Sequence, residues 1–244
     1  MAEFPGLYCN SRAEARRRGE LDMWQKSHLA NIDCCKAIEA AVSTGFNGEY
    51  LDESCVQGVI DQYGFKRVNY VLANTLQRLR RNEQISDLIM QWGNRIFIPP
   101  DAVYTREFAV QCHPYALADF VAQTGEAYHA LGLFGPEHCV SNGDSLDYTG
   151  KVLVMSPDTL RESCWNPRNQ LWLAEGGFGC SPTASGRAVY ATCLGDGEQT
   201  RWNREDFTGV LDGQYLPGWA QEKLDRLRSP QQEQNSGPAM GGMG

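Results

Sequence analysis

Apolar residues in the first hundred positions recur at steps of three and four. Leu21, Trp24, His28, Ile32, Cys35, Ile38 and Val42 trace one continuous helical face. Ser11, followed three places on by Glu14, has the form of a capping box and predicts where that helix opens. Gly45, Asn47 and Gly48 end it. A second helix is expected after Leu51-Asp52, with Cys55, Val56, Val59 and Ile60 turned inward. Gly64 interrupts, and the helical pattern resumes at Val68, Val71, Leu72, Thr75, Leu76 and Leu79. Ile85, Leu88, Ile89, Trp92 and Ile96 form one more amphipathic set, stopped by Pro99-Pro100, which no helix tolerates in its interior.

The pattern then changes. Glu107 to Cys112 is a short apolar run that reads as a strand, and Leu117, Phe120, Val121, Thr124 and Leu131 make another helix face. Residues 132–149 are rich in turn formers and read as a loop or a joint. Beyond them the period falls to two. Strands are expected at Lys151–Met155, Gln170–Glu175, Arg187–Leu194 and Phe207–Leu211, with glycine-rich turns between them and a closing helix over Trp219–Arg228. The fold class is α+β: a helical region over 1–105, a mixed region over 106–149 and a small antiparallel β-rich region over 150–228. A Pro-, Gly- and Gln-rich tail over 229–244 is expected to be disordered. Periodicity alone does not separate one composite core from two domains, and the lack of a clean linker favours the first.

Bulk properties narrow the class. The 244 residues are 42% hydrophobic and 21% charged, ordinary for a globular chain with a real core. No stretch reaches the roughly 18 to 20 apolar residues of a membrane span, and the first residues lack the form of a secretory signal. Nine scattered cysteines with no C-x-x-C pair read as reduced thiols of a cytoplasmic protein rather than a disulfide framework or zinc site. The net charge of −8 comes entirely from residues 101–244, which hold 10 Lys/Arg against 18 Asp/Glu, while residues 1–100 balance at 12 and 12. Direct nucleic-acid binding is therefore not expected, since it needs a basic field to displace counterions. Arg16, Arg17 and Arg18, beside Glu14 and Glu20, read as a solvated helix face.

Three places carry candidate chemistry. Gly176, Gly177 and Gly179, with Ser181 and Arg187, have the composition of an anion cradle, although the pattern is neither a Walker loop nor a dinucleotide loop, and a long hairpin connection explains it equally. Arg201 and Arg204 bracket Trp202, a pairing suited to phosphate or base contact and equally to a charged hairpin. His113 sits where a general base would, at the end of an expected strand. Adjacent Cys112 points to the opposite face of such a strand, so no dyad is expected. His28 reads as a core histidine. His113, His129 and His138 share no spacing that defines a metal site, and no cofactor or metal is expected.

The stretch from Lys151 to Leu211, KVLVM through DFTGVL, followed by LPGWAQEKL, resembles an uncharacterised protein family carried on conjugative elements and prophages of Gram-positive bacteria. Trp24, Asn31 and Ile38, the run RVNYVLANTLQ from Arg67 to Gln77 and the step Cys112-His113-Pro114 are similar to the same family's helical part. The resemblance brings no catalytic residue. It implies a place among the accessory genes of mobile elements, and with it a protein partner: a non-enzymatic inhibitor of a host defence nuclease, of the anti-CRISPR or antirestriction kind. The alternative is a phosphoester hydrolase that uses His113, the glycine-rich loop and the arginines.

Overall fold

The computed structural model of the chain describes residues 5–79, 84–141 and 143–228. They form two compact units, Met1–Ala130 and Leu131–Gly244. The first is helical and the second is built on an antiparallel sheet, so the chain is α+β. The division falls inside the stretch that reads as a mixed middle, directly after a helix and without a Pro/Gly-rich linker. The expected tail over 229–244 lies outside the described residues.

The helical unit opens with α1 (Arg12–Arg18), whose first turn is held by the Ser11 hydroxyl accepting the Glu14 amide. The Glu14 carboxylate goes to Arg17 and Arg18. Gly19 then takes the left-handed conformation at φ 74°, which glycine adopts without a steric penalty. The single helix expected from Ser11 onward is thus two, α1 and α2 (Leu21–Gly45). Asp52 caps α3 (Glu53–Tyr63) through the Ser54 amide. Gly64 separates it from α4 (Phe65–Arg78). Next come α5 (Asp87–Arg95), the single turn α6 (Ala102–Thr105) and α7 (Pro114–Ala130).

Helix α4 is the centre of this unit and packs against α2, α3, α5 and α7. Ten of its fourteen residues are buried, too many for a one-sided helix, so its polar side chains must find partners inside. Arg67 is 3% exposed. It donates to the carbonyl of Ser27 at 3.0 Å, to Asn31 Oδ1 and to the carbonyl of Pro5. Asn74 donates to the carbonyls of Thr105 and Phe108, at 2.8 and 3.2 Å. The Thr75 hydroxyl donates to Val71 and accepts the Val110 amide. These bonds explain why Glu107–Cys112 is not the expected strand. Arg106–Phe108 is a 3-10 turn, and beyond it the amides of Val110 and Gln111 bond to the side chains of Thr75 and Glu39 instead of a neighbouring strand.

In the second unit β1 (Val152–Met155), β2 (Leu171–Gly176), β3 (Ala188–Cys193), β4 (Gln199–Asn203) and β5 (Phe207–Val210) form one sheet in the order β4-β3-β2-β1-β5. All pairings are antiparallel; Leu153 faces Trp172 and Val210, and Tyr190 faces Arg201. The turn α8 (Pro167–Gln170) leads into β2, and α9 (Gly218–Arg228) closes the unit. Alternation divides the sheet cleanly. Leu153, Met155, Trp172, Ala174, Val189 and Ala191 bury one face. Val154, Leu171 and Leu211 meet Ala220 and Leu224 of α9 on the other. Gln170, fully buried, clips the chain before the sheet to β1: its Oε1 accepts the Phe134 amide and its Nε2 donates to the carbonyls of Phe134 and Met155.

Two outcomes follow for stability. Arg67→Met leaves the acceptors on Ser27, Asn31 and Pro5 without their donor, at about 1–3 kcal/mol for each group that water does not reach. Urea unfolding is expected to show a midpoint lowered by about 3 kcal/mol with an unchanged slope; a loss below about 0.5 kcal/mol would show that Arg67 holds nothing.

Burial pushes the thiols of Cys34 and Cys35 up to about 12 and that of Cys112 up to about 11. An unfolded thiol titrates near 8.5, so above that pH the native state holds protons that the unfolded chain releases. The stability from this source is complete below pH about 8.5 and is lost as pH rises toward 11–12. Denaturation at pH 8, 9.5 and 10.5 should show that fall, shallower in Cys34→Ala, and parallel curves for the two proteins would contradict it.

Candidate docking surface

The glycine-rich segment and the three arginines come together at one end of the second unit. Gly176 ends β2, Gly177 lies at φ 110° and Phe178–Cys180 is a 3-10 turn. A Cβ on Gly177 would run into the carbonyl oxygen of Ala188, and one on Gly179 into that of Arg187. These glycines let the connection lie directly against the start of β3. Arg204 Nη1 donates to the carbonyls of Gly179 and Cys180, both at 2.9 Å, and its Nη2 to the carbonyl of Leu146 at 3.0 Å. The guanidinium sits 3.6 Å over the ring of Tyr148. The turn thus presents carbonyl oxygens to a cation held in the fold, the reverse of the amide polarity that cradles an anion.

The other candidates of this unit are at its surface. Arg187 pairs with Glu205 at 2.6 Å, both well exposed. The Ser181 hydroxyl lies 3.2 Å from that of Thr183. Arg201 stands opposite Tyr190, itself 54% exposed, on the sheet face that carries α9. Phe178 is 79% exposed at the tip of its turn.

His113 belongs to the helical unit. Its ring is sandwiched between Phe46 and Tyr115, with centroids 5.8 and 5.5 Å away and planes within 20° and 23° of parallel. Its Nδ1 accepts the Tyr115 amide at 3.4 Å, so the neutral ring carries its proton on Nε2. The neighbouring Cys112 thiol is pushed up by burial and by Glu39, far from a reactive thiolate. His28 is buried as expected, with Nε2 2.9 Å from Glu107. His138 Nδ1 accepts the Gly135 amide. Among the described residues no group of three His, Cys, Asp or Glu is placed to hold a metal ion.

What the sequence reading missed is a charge pattern that the fold assembles. Between Lys36 and Lys66 the chain carries Glu39, Glu49, Asp52, Glu53 and Asp61 and no Lys or Arg. From residue 107 to the end of α7 it carries Glu107, Asp119 and Glu126 and again no Lys or Arg. These stretches are the C-terminal half of α2, the loop 46–52, α3 and α7, and all three helices pack on one another. Tyr115, Asp119, Gln123, Glu126 and Ala130 recur at helical spacing along α7, a stripe about 22 Å long at 1.5 Å per residue. The loop 46–51 is tied to that stripe at two points: Asp119 Oδ2 accepts the Leu51 amide and Gln123 Nε2 donates to the Leu51 carbonyl, both at 2.9 Å. Asn47 Oδ1 accepts the amides of Glu49 and Tyr50 and stiffens the loop tip. Tyr50 and Tyr115 are 62% and 53% exposed. Hydrogen bonds from Ser54 hold the Asp52 carboxyl below its ordinary range, so it is charged throughout the neutral range.

The hollows of this unit include two of different size. One, walled by Trp24, His28, Tyr70, Tyr104 and Phe108, encloses only about 20 Å³, room for a single water, and the guanidinium of Arg12 lies over its rings Trp24 and Tyr104. The other is a groove of about 440 Å³ between α3 and α7, lined by Ser54, Val56, Gln57, Gln123, Glu126, Ala127 and Ala130. It lies on the acidic stripe.

No curated protein and no solved structure matches the chain. One family profile does, over residues 7–129, which is half of the 244 residues and nearly the whole helical unit that carries the acidic stripe. The chain belongs to the family described as Protein of unknown function (DUF3849).

Proposed function

We propose that this chain is a binding protein with no reaction centre of its own, and that the acidic, tyrosine-bearing face of its helical unit docks on a basic surface of another protein. The observation that carries this reading is the pairing of charge with rigidity. Three packed helices and the loop between two of them hold seven Asp/Glu and no Lys or Arg over residues 37–63 and 114–130. Several of those carboxylates are fixed by backbone amides. Like-signed fields of this kind steer oppositely charged partners and select among them, and exposed tyrosines on a stiff support are the residues from which interface energy is drawn.

The partner proposed is a host defence nuclease, whose basic nucleic-acid groove this face would occupy. That choice follows from the resemblance to a mobile-element family given above, and the acidic face is what such competition requires. The candidate chemistry at the other sites favours no hydrolase: Arg204 is committed to backbone carbonyls, and His113 is part of an aromatic stack.

Titrating the purified chain into nuclease assays of the restriction and CRISPR types checks this. Inhibition should saturate near one chain per nuclease and weaken as salt rises from about 0.05 to about 0.5 M, where screening shortens to a few ångströms. The triple change Glu49→Lys, Asp61→Lys, Glu126→Lys should raise the inhibitory concentration at least about tenfold, while Arg187→Ala and Arg201→Ala leave it unchanged. Full effect at far sub-stoichiometric doses, or loss of effect in the two arginine variants with the fold intact, would replace this reading with the enzymatic one.

A further inference from the structure

We infer that the outer edge of β4 is a binding site for an extended, acidic segment of a partner protein, which adds one more strand to the sheet beside Arg201. The inference concerns the second unit and does not rest on the docking reading above.

Three observations meet at this edge. The first is a contrast between the two ends of the sheet. The β5 end is covered: the Val140 amide donates to the Val210 carbonyl at 2.9 Å, the Asp212 amide donates to the His138 carbonyl at 3.0 Å, and Cys139 bridges to Leu211. At the β4 end no described segment pairs with the outer side. The second is the phase of the ladder. The Cys193 amide donates to the Glu198 carbonyl and the Arg204 amide to the Arg187 carbonyl, and the same register pairs Ala191 with Thr200 and Val189 with Trp202. The backbone groups of Glu198, Thr200, Trp202 and Arg204 therefore face β3, and those of Gln199 and Arg201 point outward. No described group bonds to them, whereas the next outward amide, that of Asn203, is taken by Asp206. The strand, QTRWN, has neither proline nor lysine and no bulge against β3, so the devices that commonly blunt an exposed edge are missing from it. The third is side-chain chemistry. Arg201 is the one charged residue of the strand; it is exposed and forms no ion pair among the described residues. Trp202, on the other face, meets Trp172 edge-on with 5.4 Å between ring centroids and is only partly buried. A strand added here sets one residue directly across from Arg201, where Asp or Glu fits, and the next beside Trp202, where an apolar side chain fits.

The full chain, labelled with nitrogen-15, is titrated with acetyl-Thr-Val-Glu-Val-Thr-amide and with the same peptide carrying Lys for Glu, and amide shifts and hydrogen exchange are read by NMR. The Glu peptide should give saturable shifts at Gln199 and Arg201 and slow the exchange of those two amides at least about fivefold. The Lys peptide should bind about fivefold more weakly, the worth of one cross-strand charge pair. Arg201→Glu, a change at an exposed position, should reverse that preference. Gln199→Pro removes an outward amide that the ladder to β3 does not use, so binding is lost while the amides of Val189 and Ala191 stay protected. Shifts that never saturate, equal binding of the two peptides, or an Arg201→Glu variant that still prefers the Glu peptide would overturn the site. So would slowed exchange at Gln199 and Arg201 that grows with protein concentration in the absence of peptide, which makes a second copy of the chain the occupant.

Discussion

The helical unit depends on a helix buried over most of its surface. Because α4 is surrounded by α2, α3, α5 and α7, each polar group on it has to be answered by another part of the chain, and those answers shape the unit. Arg67 gathers the carbonyls of Pro5 and Ser27 together with Asn31, which anchors the segment before α1. Asn74 and Thr75 gather Thr105, Phe108 and Val110, which fixes the path into α7. The oxygens of Pro5, Ser27 and Asn31 give this buried cation acceptors inside the fold.

Surface carboxylates of the unit do two things at once. Asp52 closes the first turn of α3, Asp119 accepts the amide of Leu51 and Glu39 accepts the amide of Gln111. Each occupies a backbone donor that a loop would otherwise leave to water. A cluster of like charges raises the energy of the compact state, and here the same groups offset part of that by holding loop 46–51 and the approach to α7 in place. Charge-reversed residues at those positions would lose the anchoring bonds along with the field. That is why Glu49, Asp61 and Glu126, which take no part in these loop anchors, are the positions at which the field can be tested apart from the fold.

Much of the architecture was open to reading from the residues. Steps of three and four located the helices, alternation located four of the five strands, and Asp52, Gly64 and Pro99-Pro100 marked breaks that rest on local chemistry. The errors arose where distant side chains decided the outcome. Glu107–Cys112 has the composition of a strand, yet Thr75 and Glu39, 35 and 72 residues away in sequence, take its amides, and no local pattern carries that information. Gly19 lies between the Ser11 cap and the apolar face that starts at Leu21, and its left-handed φ separates α1 from α2. Arg204 shows the same limit at the site. Its neighbours in sequence suggest an anion, whereas its partners in space are carbonyls of residues 24 and 25 positions earlier.

The docking face was present in the sequence in another form, as two runs without a basic residue. Separately each run is ordinary, and counting charge by halves of the chain hid them, because residues 1–100 balance to zero. The fold changes their meaning by stacking α7 on α2 and α3, while the basic residues of the same unit lie elsewhere in the chain, at Arg12, Arg16, Arg17, Arg18, Lys66 and Arg95 among others. The unit carries 13 Lys/Arg against 16 Asp/Glu over residues 1–130, a net charge of only −3, and such a weakly charged, polarised body gains more orientation on approach than attraction at long range, since beyond about 10 Å at 0.1 M salt charges are largely screened. Tyr50 and Tyr115 are the large exposed rings of these runs. Under the proposed docking, charge would bring the acidic face forward and the exposed rings would supply the contact area.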